Sequence, residues 1–445
     1  MSAVTASVAS TVNVHYLDHV MTVAEERPVE ATEDIYAANG MKLVAKGYAI
    51  NRSMRDRLLE HQLVRPLEDC MAVSDGVTGA RCAQMAEQLL DTHPALRALD
   101  LPPSAPNAVK MMADSTYAGR LQTLLTVYNE HRPGKLAHGV CVSLFALNLA
   151  QRASLHDTKD LDVMLLAGLA HDVGELYIDP AYLAPGARLG IKEWRHIAAH
   201  PVIAHNLLKD LPGLARPASA LILEHHERCD GYGYPLGKRG TQLSLPSQIL
   251  AAAEILTGIL EKGDHLLAHA DIAVKLIHGE FSREVVDAVS SARRQHQHVP
   301  TQGQQATELL SEALQHSRAM GHRLQQIMAT QNAFEAAIQH SSATFKTLWA
   351  EAQERFRSIL RAWSSTGLDV QPDGAWLHQE PASMQQEVAF VLQEIRWRLR
   401  ELERELLART TQHAPGDLSL LERYLAEVRQ QASATDTPES EAPLT

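Results

Sequence analysis

The histidines and carboxylates of this chain constrain its fold more than any other feature. Two adjacent histidines lead into a loop rich in glycine and tyrosine, within Glu224–Pro235. The pair His171-Asp172 lies upstream, with the isolated histidines His138 and His200 on either side of it. Imidazole nitrogens and carboxylate oxygens bind divalent metals, and this set is large enough for two ions. The fold must bring these separate segments together beside the loop.

Composition bounds the class of protein. Of the 445 residues, 45% are hydrophobic, 21% are charged and only 5% are aromatic. These proportions are ordinary for a soluble protein, and the abundance of Ala, Leu and Gln favours a mainly α fold with two or three domains. The 41 basic and 53 acidic residues give a net charge of −12 without a concentrated basic stripe. We therefore expect no nucleic acid polymer as a partner.

The cysteines and the apolar segments bear on location. Cys70, Cys82, Cys141 and Cys229 are scattered without a Cys-x-x-Cys pair, which is typical of reduced thiols. Residues 1–14 lack the basic flank and continuous apolar core of a signal peptide. The most apolar run, Ile249–Leu260, is too short to span a bilayer. We expect a cytoplasmic protein without a membrane span.

Composition and helical periodicity divide the chain into segments. They are a flexible N-terminus (1–25), a small α+β regulatory module (26–75), a helical connector (76–133), a helical metal-binding domain (134–290), a linker (291–303), a helical bundle or coiled coil (304–431) and a disordered tail (432–445). In the small module, Asn39-Gly40 between Ile35-Tyr36 and residues 41–45 predicts a hairpin. A helix over Ser53–His61 follows, with Ser53 as its N-cap.

Long helices are predicted in the C-terminal third, over 304–362, 384–411 and 417–431. The second has an apolar stripe at steps of three or four residues, made of Met384, Val388, Val391, Ile395, Leu399, Leu402 and Leu406. Such a stripe suits a helical hairpin, a bundle or a dimer seam. The pattern favours packing within the chain, and it leaves a homodimer or a protein partner open.

His171-Asp172 closes an apolar helix, Leu161–Ala170, just before Gly174. A helix that ends there places an imidazole and a carboxylate side by side at the rim of a cavity. Asp172 can bridge two metals through its two oxygens, which a histidine cannot do. His138 falls on an apolar helix face, where a histidine taken alone is more often a core residue than a ligand.

The remaining histidines are placed by helix ends. His200 precedes Pro201, which disfavours helical geometry at position 200 and suits the start of a new helix. His196, four residues earlier, is a competing ligand that we rank below His200. His225 and His226 point about 100° apart around a helix, so they suit two neighbouring metals better than one.

Glu254 is the sole charge in the apolar run Ser247–Leu260. An ionised carboxylate buried there is costly unless it is paired or bound to metal. The alternative is a salt-bridged or protonated side chain. With six or seven N and O ligands and no thiolate, the set favours two divalent ions, Fe or Mn, with Zn as another option.

These residues resemble the HD-GYP phosphodiesterases, a branch of the HD-domain metal-dependent phosphohydrolases. The resemblance covers roughly residues 134–290. It rests on His138, His171-Asp172-x-Gly174, His200-Pro201, His225-His226-Glu227, Asp230-Gly231 and Gly233-Tyr234-Pro235. It implies an all-helical HD-type domain, a binuclear iron or manganese centre, and hydrolysis of cyclic di-GMP to pGpG or GMP in bacterial signalling. The segment Asp34–Leu43 also resembles a domain that precedes some HD-GYP proteins.

The resemblance assigns roles residue by residue. The expected metal ligands are His138, His171, Asp172, His200, His225, His226 and Glu254, the last standing where the family usually has aspartate. His171 and Asp172 are the expected catalytic residues. Substrate is expected at Gly231, Tyr232, Gly233, Tyr234, Pro235 and Arg228. The glycines permit close backbone approach, and a tyrosine can stack on guanine or bond phosphate, with simple loop packing as the alternative.

Two departures from the family concern cationic substrate contacts. The family usually has lysine where this chain has Glu175, and a negative charge there would repel a phosphodiester by several kcal/mol in a partly desolvated site. The segment Thr257–Leu266, where the family often has Arg or Lys, has only Lys262. Arg228, Lys238 and Arg239 can compensate, although the last two suit a solvated role.

Three hypotheses follow from the motifs and the departures. The first is a cyclic di-GMP phosphodiesterase, favoured by the complete His/Asp set and the intact loop. The second is a catalytically degenerate sensor or scaffold that binds metal or nucleotide, favoured by Glu175 and the long C-terminal helices. The third is a phosphohydrolase of another nucleotide, because lost phosphate contacts can alter specificity.

Overall fold

The computed structural model describes most of the chain, in two compact units. The described residues are 11–93, 96, 106–184, 186–187, 189–261, 266–295, 303–371, 374–410 and 415–432. Unit 1 comprises residues 1–184, 196–226 and 249–257, and unit 2 comprises 185–195, 227–248 and 258–445. Both units are built mainly from helices, which confirms the predicted fold class. The predictions for Lys262, for residues 296–302 of the linker and for the tail beyond residue 432 lie outside the described residues.

Unit 1 begins with a helix where the sequence suggested a loose segment. Helix α1 spans Val14–Glu26, and its N-cap Asn13 accepts a hydrogen bond from the backbone of Tyr16. Tyr16, Leu17 and Val20 lie on one face and are buried. This spacing of three and four residues stabilises the helix through packing, so the prediction of flexibility is wrong for residues 14–25.

Short antiparallel strands follow. Strand β1 (Val29–Ala31) pairs with β4 (Met71–Val73), and β2 (Ile35–Tyr36) pairs with β3 (Lys42–Val44). The predicted hairpin at Asn39-Gly40 is therefore confirmed. Helix α2 (Arg55–Leu59) comes after a 3₁₀ turn, whose N-cap is Asn51 and not the predicted Ser53. The Asn51 side chain accepts from the Ser53 backbone, because its carbonyl reaches the first free N–H groups.

Nine further helices lie between residues 79 and 260 among the described residues, and the predicted metal ligands lie within some of them or just after their ends. They are α3 (Gly79–Thr92), α4 (Ala108–Asp114), α5 (Gly119–His131), α6 (Lys135–Arg152), α7 (Thr158–Ala170), α8 (Ile191–Ile197), α9 (His200–Leu208), α10 (Ala215–Glu224) and α11 (Leu245–Leu260). Helices α6 and α7 pack closely because glycine lies at their contact. A Cβ on Gly139 would lie 2.8 Å from the carbonyl oxygen of Leu169, and one on Gly168 would lie 2.7 Å from Oγ of Ser143.

Unit 2 contains the C-terminal helices. They are α12 (Leu266–Lys275), α13 (Arg283–Gln295), α14 (Gly303–Ala337), α15 (Ala343–Ser364), α16 (Ala382–Thr410) and α17 (Pro415–Ala432). The predicted single helix over 304–362 is wrong. A 3₁₀ turn at Ile338–His340 interrupts it, and Ser342 caps α15 by accepting from the backbone of Phe345.

The apolar stripe of α16 packs within the chain. Val388, Ile395, Leu399, Leu402 and Leu406 are buried in one cluster with side chains of α14, α15 and α17, whereas Met384 is 39% exposed. The apolar stripe therefore packs against other helices of the same chain, as the pattern favoured. Within the described residues, no helix is both long and apolar enough to cross a bilayer.

Candidate metal centre

The seven side chains expected as metal ligands converge within unit 1. They form one group of Asp172, His200, His225 and His226, and a second group of His138, His171 and Glu254. Within each group, one ligand atom from every residue lies within 4.8 Å of the others. All are buried except His226, which is half-buried. The competing histidine, His196, is exposed and packs edge-on against Tyr182, outside both groups.

Helix ends place these side chains, as the sequence predicts. His171 follows the last residue of α7, and the chain then enters a 3₁₀ turn at Val173–Tyr177. Gly174 is required there, because a Cβ would lie 2.1 Å from the carbonyl oxygen of His200. This close approach brings the turn after Asp172 against the start of α9.

Backbone carbonyls orient three of the imidazoles. Nδ1 of His171 lies 2.7 Å from Gly168 O, Nδ1 of His200 lies 2.8 Å from Ile197 O, and Nδ1 of His225 lies 2.6 Å from Ile222 O. A carbonyl only accepts, so each Nδ1 carries the proton and donates it. In the neutral imidazole this leaves the lone pair on Nε2, and that tautomer binds a metal through Nε2.

Asp172 faces both groups with different oxygens. Its Oδ1 lies 3.2 Å from Nε2 of His200, and its Oδ2 lies 3.3 Å from Nε2 of His171. Oε2 of Glu254 lies 3.2 Å from Nε2 of both His138 and His171. The arrangement suits Asp172 as a ligand shared between two ions and Glu254 as a ligand of the second group.

The donor atoms fit divalent cations. Nε2 of His171 is buried and makes no hydrogen bond to the described residues. Nε2 of His200 lies only 3.2 Å from Nε2 of His225, so with both Nδ1 atoms protonated two lone pairs face each other. Burial and the neighbouring histidines lower the pKa of His225 to about 3, which keeps this imidazole neutral. A cation shared between these nitrogens would satisfy both lone pairs.

The two carboxylates are ionised. Burial alone would raise the pKa of Asp172, but His171 and Lys135 reverse that effect and hold it well below its ordinary value. The pKa of Glu254 is also lowered, because His138 and His171 outweigh its burial. Asp172 and Glu254 therefore offer anionic oxygens beside the imidazole nitrogens, and such O and N ligands are the donor set of Fe, Mn and Zn sites.

Glu175 does not present a bare negative charge. It is 5% exposed, and its Oε2 accepts hydrogen bonds from Tyr128 Oη at 2.7 Å and from Arg132 Nη1 at 3.2 Å. Nζ of Lys135 lies 3.3 Å from the same oxygen. Arg132 and Lys135 therefore neutralise the charge of this carboxylate. The expectation that Glu175 repels a phosphodiester is wrong in this environment.

Lys135 is the site residue that sequence reasoning missed. Its Nζ donates to Asp172 Oδ2 at 3.1 Å, and the side chain is only 11% exposed. Burial lowers its pKa, but Glu175 and Asp172 more than offset this and raise it, so the amine stays charged. The available signal was spacing, because Lys135 lies one turn before His138 on the same helix face.

The loop after His226 lies in unit 2 and is closed by its own first residue. Glu227 accepts hydrogen bonds from the backbone N–H groups of Leu236 at 2.6 Å, Gly237 at 3.1 Å and Lys238 at 2.9 Å. Gly231 has a φ of +83°, which only glycine adopts readily. The Glu227 carboxylate thus joins the beginning of this loop to its end.

Four of the residues expected to bind substrate are buried, namely Arg228, Gly231, Tyr232 and Gly233. Arg228 is 3% exposed, with its guanidinium 5.6 Å from the centre of the Phe281 ring. Tyr232 is 6% exposed and packs against arginines, which is the loop-packing alternative. Tyr234 and Pro235 are half-buried and stay candidates for substrate contact. Arg239 pairs with Glu351 at 2.8 Å in a half-exposed position.

Comparisons with known proteins agree with this geometry. Residues 117–278 match the family model of the HD domain. The chain is 28% identical over 218 residues to 3'3'-cGAMP-specific phosphodiesterase 3 of Vibrio cholerae, covering 45% of this chain and 45% of that protein. It is 35% identical over 127 residues to cyclic di-GMP phosphodiesterase PA4108 of Pseudomonas aeruginosa, covering 27% of this chain and 29% of that protein.

A solved structure and the extent of the matches complete the comparison. Bd1817, a HDG"Y"P protein from Bdellovibrio bacteriovorus, aligns with a TM-score of 0.32 and 15% identity, over 60% of this chain and 95% of that one. The chain spans less than half the length of the curated relatives named above. The match over residues 117–278 and the phosphodiesterase relatives confirm the resemblance that the sequence predicts.

Proposed function

We propose that this protein is a metal-dependent phosphodiesterase that hydrolyses a cyclic dinucleotide, with cyclic di-GMP as the first candidate. One observation carries the proposal: two groups of buried ligand atoms converge, with one oxygen of Asp172 facing each. Such a pair of sites is the arrangement that two-metal hydrolases use on phosphodiesters. Relatives named as cyclic di-GMP and 3'3'-cGAMP phosphodiesterases support the substrate class.

The proposed cofactor is a pair of iron or manganese ions, held by the seven ligand residues. When bound, such ions supply a hydroxide nucleophile at neutral pH and neutralise charge on the phosphate. The protein's own part is to hold Asp172 and Glu254 ionised and to turn imidazole Nε2 atoms toward the ions. The carbonyl oxygens of Gly168, Ile197 and Ile222 orient three of the imidazoles by accepting from their Nδ1 atoms.

Lys135 supplies the cation that the sequence seemed to lack. Its charged Nζ lies 3.1 Å from Asp172 Oδ2, so it is close enough to the metal centre to donate a hydrogen bond to a phosphate oxygen there. Glu175, which is itself ion-paired with Arg132, holds the amine there. In this proposal Glu175 is a positioning residue for Lys135 and not a brake on substrate binding.

Two alternatives stay open. Hydrolysis of 3'3'-cGAMP is favoured by the relative of that name, which matches over 45% of this chain. The degenerate sensor or scaffold loses its main argument, because Glu175 is ion-paired. A substrate panel separates the first alternative from cyclic di-GMP hydrolysis.

The test is hydrolysis by the purified full chain, loaded with Fe²⁺ or Mn²⁺ without oxygen. We expect cyclic di-GMP or 3'3'-cGAMP to be cleaved to the linear dinucleotide, and His171→Ala to abolish cleavage while the protein stays folded by circular dichroism. Protein that binds metal and cleaves neither dinucleotide would contradict the proposal and favour the scaffold.

A further inference from the structure

The loop from Asp230 to Pro235 is held by arginines that lie outside the HD domain. Arg409, near the end of α16, donates hydrogen bonds from Nη2 to the carbonyl oxygens of Gly231 at 2.6 Å and Gly233 at 2.8 Å. These two glycines lie immediately before and after Tyr232. Arg409 thereby fixes the backbone on both sides of that residue.

A second arginine holds the start of the loop. Arg355 of α15 is 1% exposed on its side chain and is ion-paired with Asp230 and with Glu401. The Tyr232 ring lies 4.9 Å from the guanidinium carbon of Arg355 and 5.6 Å from that of Arg409. The ring is thus enclosed by two cations, which stabilises it through its π face.

A third contact reaches the far end of the loop. Tyr234 packs edge-on against Trp194, with ring centres 5.7 Å apart. The guanidinium of Arg404, also on α16, lies 5.2 Å from the centre of the Trp194 ring. Helix α16 therefore contacts one side of the loop directly and the other through Trp194.

We propose that helices α15 and α16 position this loop for the cyclic dinucleotide, with Arg409 as the principal positioning residue. The inference rests on the proposed function and goes beyond it, because it assigns the C-terminal bundle to substrate recognition. The family match ends at residue 278, so an HD domain alone does not contain these arginines. Arg409 anchors the carbonyl groups, which leaves the partly exposed Tyr234 and Pro235 in a fixed orientation.

Arg409 offers a cleaner test than Arg355. Arg355 balances several buried acids, so its removal leaves unpaired charges and threatens folding. Arg409 is 23% exposed on its side chain and forms an ion pair with Glu405. The variants are Arg409→Met, which removes the donors, and Arg409→Lys, which keeps the charge without the planar fork. Arg357→Met on α15 is the matched control, since Arg357 is half-exposed and pairs with Glu354.

The experiment measures kcat, KM, bound metal and the thermal unfolding midpoint of each full-length variant. For Arg409→Met we expect KM to rise roughly tenfold, the scale of a lost charged hydrogen bond, with bound metal unchanged and kcat within about twofold. Arg409→Lys should recover part of the affinity, and Arg357→Met should match the wild type. Unchanged KM in Arg409→Met, or equal losses of kcat, metal and stability, would overturn the proposal.

A measurement independent of turnover separates this inference from the proposed function. Hydrogen exchange at the backbone amides of residues 231–234 should speed up in Arg409→Met, while exchange in α6 and α7 stays as in the wild type. If the wild type cleaves no cyclic dinucleotide, the proposed function fails while faster loop exchange still shows that Arg409 holds the loop. Unchanged loop exchange would overturn the positioning role itself.

Discussion

At the scale of single residues, the expected effect of Glu175 on substrate binding depends on the side chains around it. From the sequence it is an acid where a phosphate-binding lysine is expected. In the structure Arg132, Lys135 and Tyr128 surround it, and Lys135 also reaches Asp172. A buried acid with two cationic partners is part of a local network, so changing it alone unbalances the network.

We therefore predict that Glu175→Lys lowers activity. The new cation would face Arg132 and Lys135 in a buried site, which costs about 3 kcal/mol of stability for a broken buried pair. The expected loss is tenfold or more in kcat/KM, with a lower unfolding midpoint. Glu175→Gln is the matched control, since it removes the charge without adding one, and its loss should be smaller. A gain of activity in both variants would restore the view of Glu175 as a brake.

The clustering of the candidate metal ligands could be predicted from the sequence, whereas the place of Lys135 beside them could not. Histidine and aspartate carry their chemistry in their identity, and the helix ends at His171 and His200 were visible as Gly174 and Pro201. A lysine is ordinary on a helix, and its partner Glu175 is far along the chain. Only tertiary packing brings them within 3.3 Å.

At the scale of elements, the sequence predicts helices correctly where the apolar periodicity is strong. It misplaces helix boundaries where a capping side chain determines where a helix begins or ends. The stripe on α16 is buried as its spacing indicates. The division between α14 and α15 depends on one side-chain cap at Ser342, which a long apolar pattern hides. Helix α1 was missed because the Ser, Thr and Val of residues 2–12 made the whole N-terminal segment look non-helical, whereas the buried face of Val14–Glu26 stabilises the helix through packing.

Glu405 on helix α16 is expected to make the folding stability of the protein depend on pH. Burial raises the pKa of Glu405 to about 7 from 4.5, with Glu401 and Glu227 adding to the effect and Arg409 opposing it. The folded state thus keeps a proton that the unfolded state has released, so stability falls as pH rises from 4.5 to 7. At roughly 1.4 kcal/mol per pKa unit, the loss is about 3 kcal/mol.

Urea unfolding of the wild type and of Glu405→Gln at several pH values between 5 and 8 measures this effect. The amide cannot ionise, so the variant should lack this part of the decline. Parallel pH profiles for the two proteins would show that Glu405 titrates normally in the folded state.

At the scale of the whole molecule, the HD domain match ends at residue 278 and the loop contacts begin at residue 355. The metal-binding domain and the C-terminal helical bundle could both be predicted from the sequence. Their pattern of residues gives no reason for the two to occur in one chain. The reason in our account is that guanidinium groups of α15 and α16 hold the loop that follows His225-His226. Periodicity could not reveal this, because these arginines look like ordinary charges on long helices.

The central claim is that the two ligand groups hold two ions and that both are needed to cleave a cyclic dinucleotide. The most direct test is to titrate metal-free full-length protein with Mn²⁺ or Fe²⁺, and to follow bound metal and dinucleotide cleavage in the same samples. Our account predicts two ions per chain, with cleavage that follows occupancy of the second, and loss of both in Asp172→Asn. Full activity with a single ion, or two bound ions without cleavage of any cyclic dinucleotide, would contradict it.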